Sequence, residues 1–369
     1  TQHRIAITNH DLKKPNTLVK SITCVLDNAN QITLTDGTKT NGFAQFLESQ
    51  ASITQGNATK SLEAKLDGTF ETNDNKTFQI KDFWQTYPKA VSINGNQLMF
   101  HLLPKLPTQN YPPENWRTAD PFFMHFYWFH EKGNYKFKRG MRVENEAWSL
   151  AEANATQAQK AAWLQAPLFA TASPDYYCET QVFGNIEPKI PGRFDDYEET
   201  FLISYENLEK GRKVRGEYGW MNYGDWFGER QWNWGNNEYD LTFALILQFV
   251  RTRNLEYLQR ALQMAHHYTT IDTQHIRAPK HREIVYAHST GHVGSFIEND
   301  DPLFVSLGKT QASARGGQDG SGGHAHHPGS ILAAALTGNP CYATVAIDAC
   351  TTQATRYTPN YKIYIERAV

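Results

Sequence analysis

The strongest constraint on how this chain can fold is a change of hydrophobic period part-way along it. Up to about residue 150, apolar residues alternate with polar ones in short runs at 18–26, 31–34, 77–80, 97–103 and 122–129. Asn, Asp, Gly or Pro separate these runs, and Asp36-Gly37 and Asn94-Gly95 carry tight-turn chemistry. Many short strands of this kind predict an N-terminal antiparallel β-sandwich. Beyond about residue 200 the apolar spacing becomes helical. Segments 239–251, 255–267, 330–336 and 341–352 read as two helical hairpins, with Leu255, Leu258, Leu262 and Ala265 on one face. The hairpins align without gaps at an offset of 85, matching Thr252 with Thr337, Asn254 with Asn339, Tyr257 with Tyr342 and Ala261 with Ala346. Repeated hairpins are the unit of an α/α toroid.

The expected organisation is therefore multidomain α and β. A β-sandwich spans residues 1–150, a linker or transition 151–199, and an α/α toroid, incomplete in this chain, 200–369. The Ala-rich stretch 146–163 reads as helical and opens the transition, which continues through Pro167, Pro174, Pro188 and Pro191. A chain of 369 residues is long enough for more than one core, since single cores stop growing near ~250–300 residues. Too few hairpins are present to close a ring, as expected of a piece of a longer protein.

Composition excludes several functions. A net charge of -2 with no basic stripe argues against a nucleic-acid partner, and no apolar run is long enough to span a bilayer. The first residue, Thr1, fits a processed, secreted or periplasmic protein, and a shortened start explains it equally. Four cysteines allow three complete pairings, but Cys341 and Cys350 lie nine apart on one predicted helix, about 13 Å along its axis. That separation is too long for a disulfide unless the helix ends between them.

Residues 219–240, GWMNYGDWFGERQWNWGNNEYD, hold the densest chemistry. Four tryptophans, four asparagines and four carboxylates share 22 positions with no clean apolar face. Flat rings that stack on C–H faces, together with amides and carboxylates that bind hydroxyls, suit a sugar. A Trp-rich loop packed at a domain interface is the plainer reading. Between the hairpins lie seven of the 14 histidines, namely His275, His281, His288, His292, His324, His326 and His327. Imidazoles poised near neutral pH suit acid, base and substrate-ligand roles. Some of the seven are expected to be structural residues satisfied by backbone hydrogen bonds. His324-x-His326 has metal-ligand spacing, but neither an H-E-x-x-H helix nor a Cys pair accompanies it. The sequence thus assigns no metal and no cofactor; calcium is compatible with it but not indicated.

YCETQVFG (177–184), the 219–240 block, IDTQH (271–275) and YAHSTGHVG (286–294) together resemble the exo-rhamnogalacturonan lyase family, polysaccharide lyase family 26 and its bacterial relatives. TYPKA (86–90) adds to the likeness, which covers residues 84 to 340. The resemblance implies a β-sandwich, a central α/α toroid and a further C-terminal β-domain. It also implies a uronate-containing polysaccharide or oligosaccharide as partner, cleaved by β-elimination.

The roles come from chemistry. A base must take the weakly acidic C5 proton, an acid must protonate the departing O4, and donors must neutralise the uronate carboxylate. His288 or His292 is the expected base and Tyr223 the expected acid. Arg230, helped by Asn236, Asn237 and Glu238, is the expected carboxylate and hydroxyl partner. Trp226, Trp232 and Trp234 form the stacking surface, and His324, His326 and His327 complete the substrate ligands. Two alternatives stand beside this reading. One is a glycoside hydrolase using two of Asp225, Glu229, Glu238 and Asp240. The other is a non-catalytic glycan-binding protein, which would use the aromatics but gain nothing from clustered histidines.

Overall fold

Alternating short strands need cross-strand partners, and in the computed structural model they find them in two six-stranded antiparallel sheets. The structure describes residues 1–11, 16–109, 111, 130–131, 133–138, 140–151, 154–165, 169–227, 234–278, 281–285, 292 and 325–357. One sheet runs β1 (Gln2–Thr8), β15 (Arg142–Leu150), β10 (Thr77–Ile80), β9 (Thr69–Thr72), β4 (Ile32–Leu34) and β5 (Lys39–Thr40). The other runs β3 (Ile22–Asn28), β12 (Gln97–Leu103), β11 (Lys89–Asn94), β6 (Gly42–Leu47), β7 (Gln50–Gln55) and β8 (Ala58–Leu62). A small third sheet joins β13 (His130–Glu131), β14 (Asn134–Lys138) and β2 (Asn16–Val19). The two large sheets are sandwich-like. Phe43 of β6 meets Phe70 of β9 edge-on with centroids 5.4 Å apart, and Phe70 stacks on Phe78 at 5.5 Å.

Both expected hairpin turns form. Gly37 and Gly95 take left-handed backbone, φ 85° and 63°, where a Cβ would be strained. Two strand readings change. The run at 18–26 is split between β2 and β3, which belong to different sheets, and 122–129 lies outside the described residues. The helix expected at 146–163 is also corrected. Its first part is the end of β15, where Glu146 pairs with Arg4 and Trp148 with Gln2. The helix itself, α1, is confined to Gln157–Gln165. Ladder hydrogen bonds to β1 override the helix propensity of the Ala-rich stretch.

Clustering of contacts divides the chain into two compact units. The β unit comprises Thr1–Lys138, Arg142–Leu168 and Tyr218–Tyr223, and the helical unit comprises Arg139–Met141, Phe169–Glu217 and Gly224–Val369. The unit boundary thus passes through the 219–240 block. The helical unit contains α2 (Pro174–Glu179), α3 (Asp195–Arg215), α4 (Leu241–Thr252), α5 (Leu255–Thr270), α6 (Pro328–Thr337) and α7 (Pro340–Tyr357). It also holds a β-hairpin, β16 (Thr273–Ala278) with β17 (His281–Val285), within the stretch read as lacking helical pattern. Mixed β and α architecture in the expected order is what the chain adopts.

The offset repeat has a physical counterpart in the turns. Thr252 Oγ1 donates to the Gln248 carbonyl and accepts from Asn254 N, whose side chain caps α5 by accepting from Glu256 N at 3.0 Å. Thr337 Oγ1 donates likewise to Ala333, and Asn339 accepts from Cys341 N at 3.1 Å. The residue between Thr and Asn is left-handed in both turns, Arg253 and Gly338. Tyr257, Ala261, Tyr342 and Ala346 are all buried, so the repeat aligns core positions as well as caps.

α3 is a 21-residue helix that apolar periodicity did not reveal. Its signals are electrostatic: Asp195, Asp196 and Glu198 in the first turn, Arg212, Lys213 and Arg215 in the last, and Gly216 in a left-handed C-cap. Aromatic edges fasten it to α5, with Tyr205 and Phe201 meeting Tyr257 at 4.9 and 5.4 Å. α7 is one unbroken helix over both Cys341 and Cys350, in keeping with the expectation that they are not bonded to each other. Cys24 and Cys178 carry free thiols. No helix of the described residues is long and apolar enough to cross a membrane.

Candidate functional site

The second part of the 219–240 block folds onto the C-terminal half of α5, and a glycine makes the approach possible. Gly224 has φ +106°, and a Cβ there would lie 2.5 Å from the Gln263 carbonyl oxygen and 2.8 Å from His267 Cβ. Arg260 locks this contact by donating to the Gly224 and Asp225 carbonyls at 2.6 and 3.0 Å, and to Glu209 at 2.9 Å. Phe227 and Trp234 form an isolated antiparallel bridge, and Gly235 N donates to the Trp226 carbonyl at 2.9 Å. The Asp225 carboxylate closes the base of this loop, accepting from Trp226 N at 2.7 Å and Asn236 N at 3.2 Å.

Asp225, His267, Asp272 and His292 meet there, all fully buried, with one ligand atom from each lying within 4.8 Å of the others. His267 Nε2 is 3.0 Å from Asp272 Oδ1, 3.1 Å from His292 Nδ1 and 3.6 Å from Asp225 Oδ2. His292 Nδ1 is 3.2 Å from Asp225 Oδ2 and 3.3 Å from Asp272 Oδ1. Trp234 covers the far side of the His292 ring with centroids 4.7 Å apart, and Asn236 Nδ2 donates to the His292 carbonyl at 3.3 Å. Burial raises both carboxyl groups. Asp225 is pushed up to about 6 against the pull of His267 and two backbone N–H donors, while Asp272 is raised well above its ordinary range.

A second buried polar group begins one residue along α5. The Tyr268 hydroxyl is hydrogen-bonded with Nδ1 of His327, the residue preceding α6. Burial holds the Tyr268 phenol well above its ordinary range, against a hydrogen bond from Asn237. Asp240 ties the two hairpins together. It caps α4 by accepting from Phe243 N at 3.1 Å, and its other oxygen accepts from Gly329 N in the first turn of α6 at 2.9 Å.

Between α3 and α4 lies a cavity of about 290 Å³ lined by Phe201, Tyr205, Trp226, Glu238, Tyr239 and Leu241. That is the lower end of the size range of ligand pockets, roughly 300–1,000 Å³. Trp226 and Tyr239 face it with ring centroids 6.4 Å apart and planes at 36°. The backbone beneath is strained: Asn236, Tyr239 and Asp240 all have positive φ, and for a bulky residue such as Tyr239, at 61°, this is a genuine outlier.

The expected site residues therefore fall into separate groups. Trp226 and Glu238 line the pocket. Asn236, Trp234 and His292 build the buried cluster, Asn237 and His327 the Tyr268 group, and His326 lies within electrostatic reach of Asp240. Tyr223 belongs to the β unit, where it stacks on Tyr218 at 6.2 Å and donates to Asp82 Oδ1 at 3.3 Å. Arg230, Trp232, His288 and His324 lie outside the described residues. Two members of the cluster were not singled out from sequence, His267 and Asp272. Their signal is slight: an imidazole in the last turn of a predicted helix, followed five residues later by the Asp of IDTQH. No protein-family model matches the chain, and no curated protein matches it.

Proposed function

We propose that the protein is a polysaccharide lyase that acts on a uronate-containing glycan of the rhamnogalacturonan type. One observation carries this reading. Three separate blocks that resemble the lyase family, 219–240, 271–275 and 286–294, each send side chains to one place in the helical unit: Asp225 and Asn236, Asp272, and His292. The mostly apolar pocket that Trp226 and Tyr239 line together with Glu238 has room for a single sugar ring. The two capped hairpins are taken as part of an α/α toroid, and the protein as secreted or periplasmic.

In this scheme the ring of the uronate stacks on Trp226 while Glu238 receives its hydroxyls. Arg230 neutralises the carboxylate, which lowers the cost of forming the carbanion at C5. His288 takes the C5 proton and a general acid returns one to O4 as the bond breaks, leaving a 4,5-unsaturated uronate. His292, fully buried with Nδ1 facing two carboxylates, is assigned to the framework and not to proton transfer.

Digestion of rhamnogalacturonan backbone, followed by absorbance at the enoate band and by reducing-end release, tests the reading. Rising absorbance is expected. His288→Ala should lower turnover by ~10²–10⁴-fold with binding nearly preserved. Arg230→Ala should weaken binding and turnover together, and Arg230→Lys should restore only part, because a point charge lacks the planar fork. Reducing ends without the enoate band would move the chemistry to Glu238 and a second carboxylate, the hydrolase arrangement.

A further inference from the structure

The Asp225–His267–Asp272–His292 cluster brings four buried ligand atoms closer together than its own hydrogen bonds require. Each ring nitrogen carries at most one proton, and a neutral imidazole has that proton on one nitrogen only. His267 Nε2 and His292 Nδ1 nevertheless make five close approaches among the four atoms, including one to each other at 3.1 Å. If both nitrogens are protonated, two N–H groups point at one another. If neither is, lone pairs face carboxylates across about 3 Å in a dry interior, which the low dielectric makes expensive, and if only one is, the other lone pair still faces a carboxylate unless that carboxyl itself holds a proton. Asp272 adds to the imbalance. Its second oxygen, Oδ2, is buried and has no hydrogen-bond partner among the described residues.

A cation at the centre removes the conflict among the four ligand atoms, and the spacing says which kind. Five of the six edges between the ligand atoms measure 3.0, 3.1, 3.2, 3.3 and 3.6 Å. Four ligands arranged tetrahedrally around zinc at about 2.0–2.1 Å have edges of about 3.3–3.4 Å. Calcium, at about 2.3–2.6 Å from its ligands, would need edges near 4 Å in the same arrangement, and it takes six to eight oxygens. Two imidazole nitrogens with two carboxylate oxygens suit zinc or a similar first-row ion. Two carboxylates with two neutral imidazoles also carry the charge that a divalent ion cancels.

We propose that these four side chains bind one zinc-class divalent ion in a closed structural site. Four protein ligands leave no position for a substrate or water, and all four are fully buried, which separates this site from a catalytic one. The ion fastens the base of the 225–236 loop, the end of α5, the residue before β16 and His292 to a single point. It thereby fixes Trp226 and Glu238 relative to the helices that complete the pocket. The inference is independent of the β-elimination reading, since binding is measured without substrate.

Full-length protein would be dialysed against a chelator, reloaded with zinc or cobalt(II), and measured by elemental analysis, cobalt absorbance and thermal unfolding. About one equivalent should be retained, with the intense visible bands of tetrahedral cobalt and a raised unfolding temperature. Asp225→Asn and Asp272→Asn keep shape and volume, so they should fold and yet bind at least about 100-fold more weakly. His267→Ala and His292→Ala should lose the cobalt bands altogether. Folded wild-type protein that retains no stoichiometric ion overturns the proposal. So does an octahedral cobalt spectrum, or zinc affinity unchanged in both Asn variants, which would place the ion elsewhere.

Discussion

A buried polar group in the β unit and the Asp–His cluster in the helical unit show two different ways of burying polarity. In the β unit two of the most deeply buried, Lys89 and Gln45, are satisfied by backbone groups. Lys89 is fully buried, but Nζ donates to the Leu102 carbonyl at 2.8 Å. Gln45, also fully buried, donates to the Leu47, Glu48 and Ala64 carbonyls and accepts from Leu66 N. Lys89 ties strand to strand and Gln45 ties loop to strand, and the surrounding core is aromatic. In the helical unit Asp225, His267, Asp272 and His292 aim at a common point where their bonding capacity does not match. Polar burial satisfied by backbone serves the fold, whereas polar burial that converges without balance marks a place built for something else.

The largest effect that sharpens this contrast is expected in the aromatic core. Phe70→Ala should destabilise the β unit by about 3–5 kcal/mol through lost burial and a residual cavity. Hydrogen exchange should show protection lost around β4, β6, β9 and β10 while α4 and α5 keep theirs. Equal loss in both regions would break the comparison, because the units would then be one cooperative body.

Gly224→Ala should come next, at about 2–4 kcal/mol, since left-handed strain adds to a clash with Gln263 and His267. Gly56→Ala is its counterpart in the β unit, with φ +58° and nothing within 4 Å of the added Cβ. It should cost only about 1 kcal/mol, the conformational part alone. Urea midpoints of both variants measure the difference, which is the contribution of close packing against α5.

Lys89 supplies a pH signature for the β unit. Burial lowers its folded-state value from 10.5 to about 7. Between those values the unfolded chain binds a proton that the folded one does not, so stability rises with pH across that window and the full penalty applies below it. Stability of wild type relative to Lys89→Met should therefore increase by up to about 1.4 kcal/mol per pH unit from pH 7 to 10. Denaturant midpoints that keep a constant difference across this range would show that the ammonium is not desolvated.

The smallest effects probe the repeat. Asn254→Ala and Asn339→Ala each remove the same kind of cap and should each cost about 1 kcal/mol. Clearly unequal values would mean that the two turns, though alike in sequence, do different mechanical work.

Much of this molecule was determined by the sequence alone, wherever the cause is local. Alternation placed β10 and β12 at their observed bounds, and Asp36-Gly37 and Asn94-Gly95 placed turns. The Thr-x-Asn signal at 252–254 and 337–339 located both hairpins, because a cap is read from residues two apart. Tertiary structure decided the rest. It turned 146–150 into strand, since Trp148 and Glu146 face partners more than a hundred residues away. It also divided the 219–240 block, placing Tyr223 among the β-unit aromatics and Asp225 against α5. Above all it chose which histidines meet which carboxylates. His267 and Asp272 give only a slight signal at their positions in the chain, His292 belongs to a separate motif, and Asp225 lies over forty residues from the nearest of the three. Their convergence follows from helix packing and from a glycine that lets two backbones touch, neither of which has a periodicity to read.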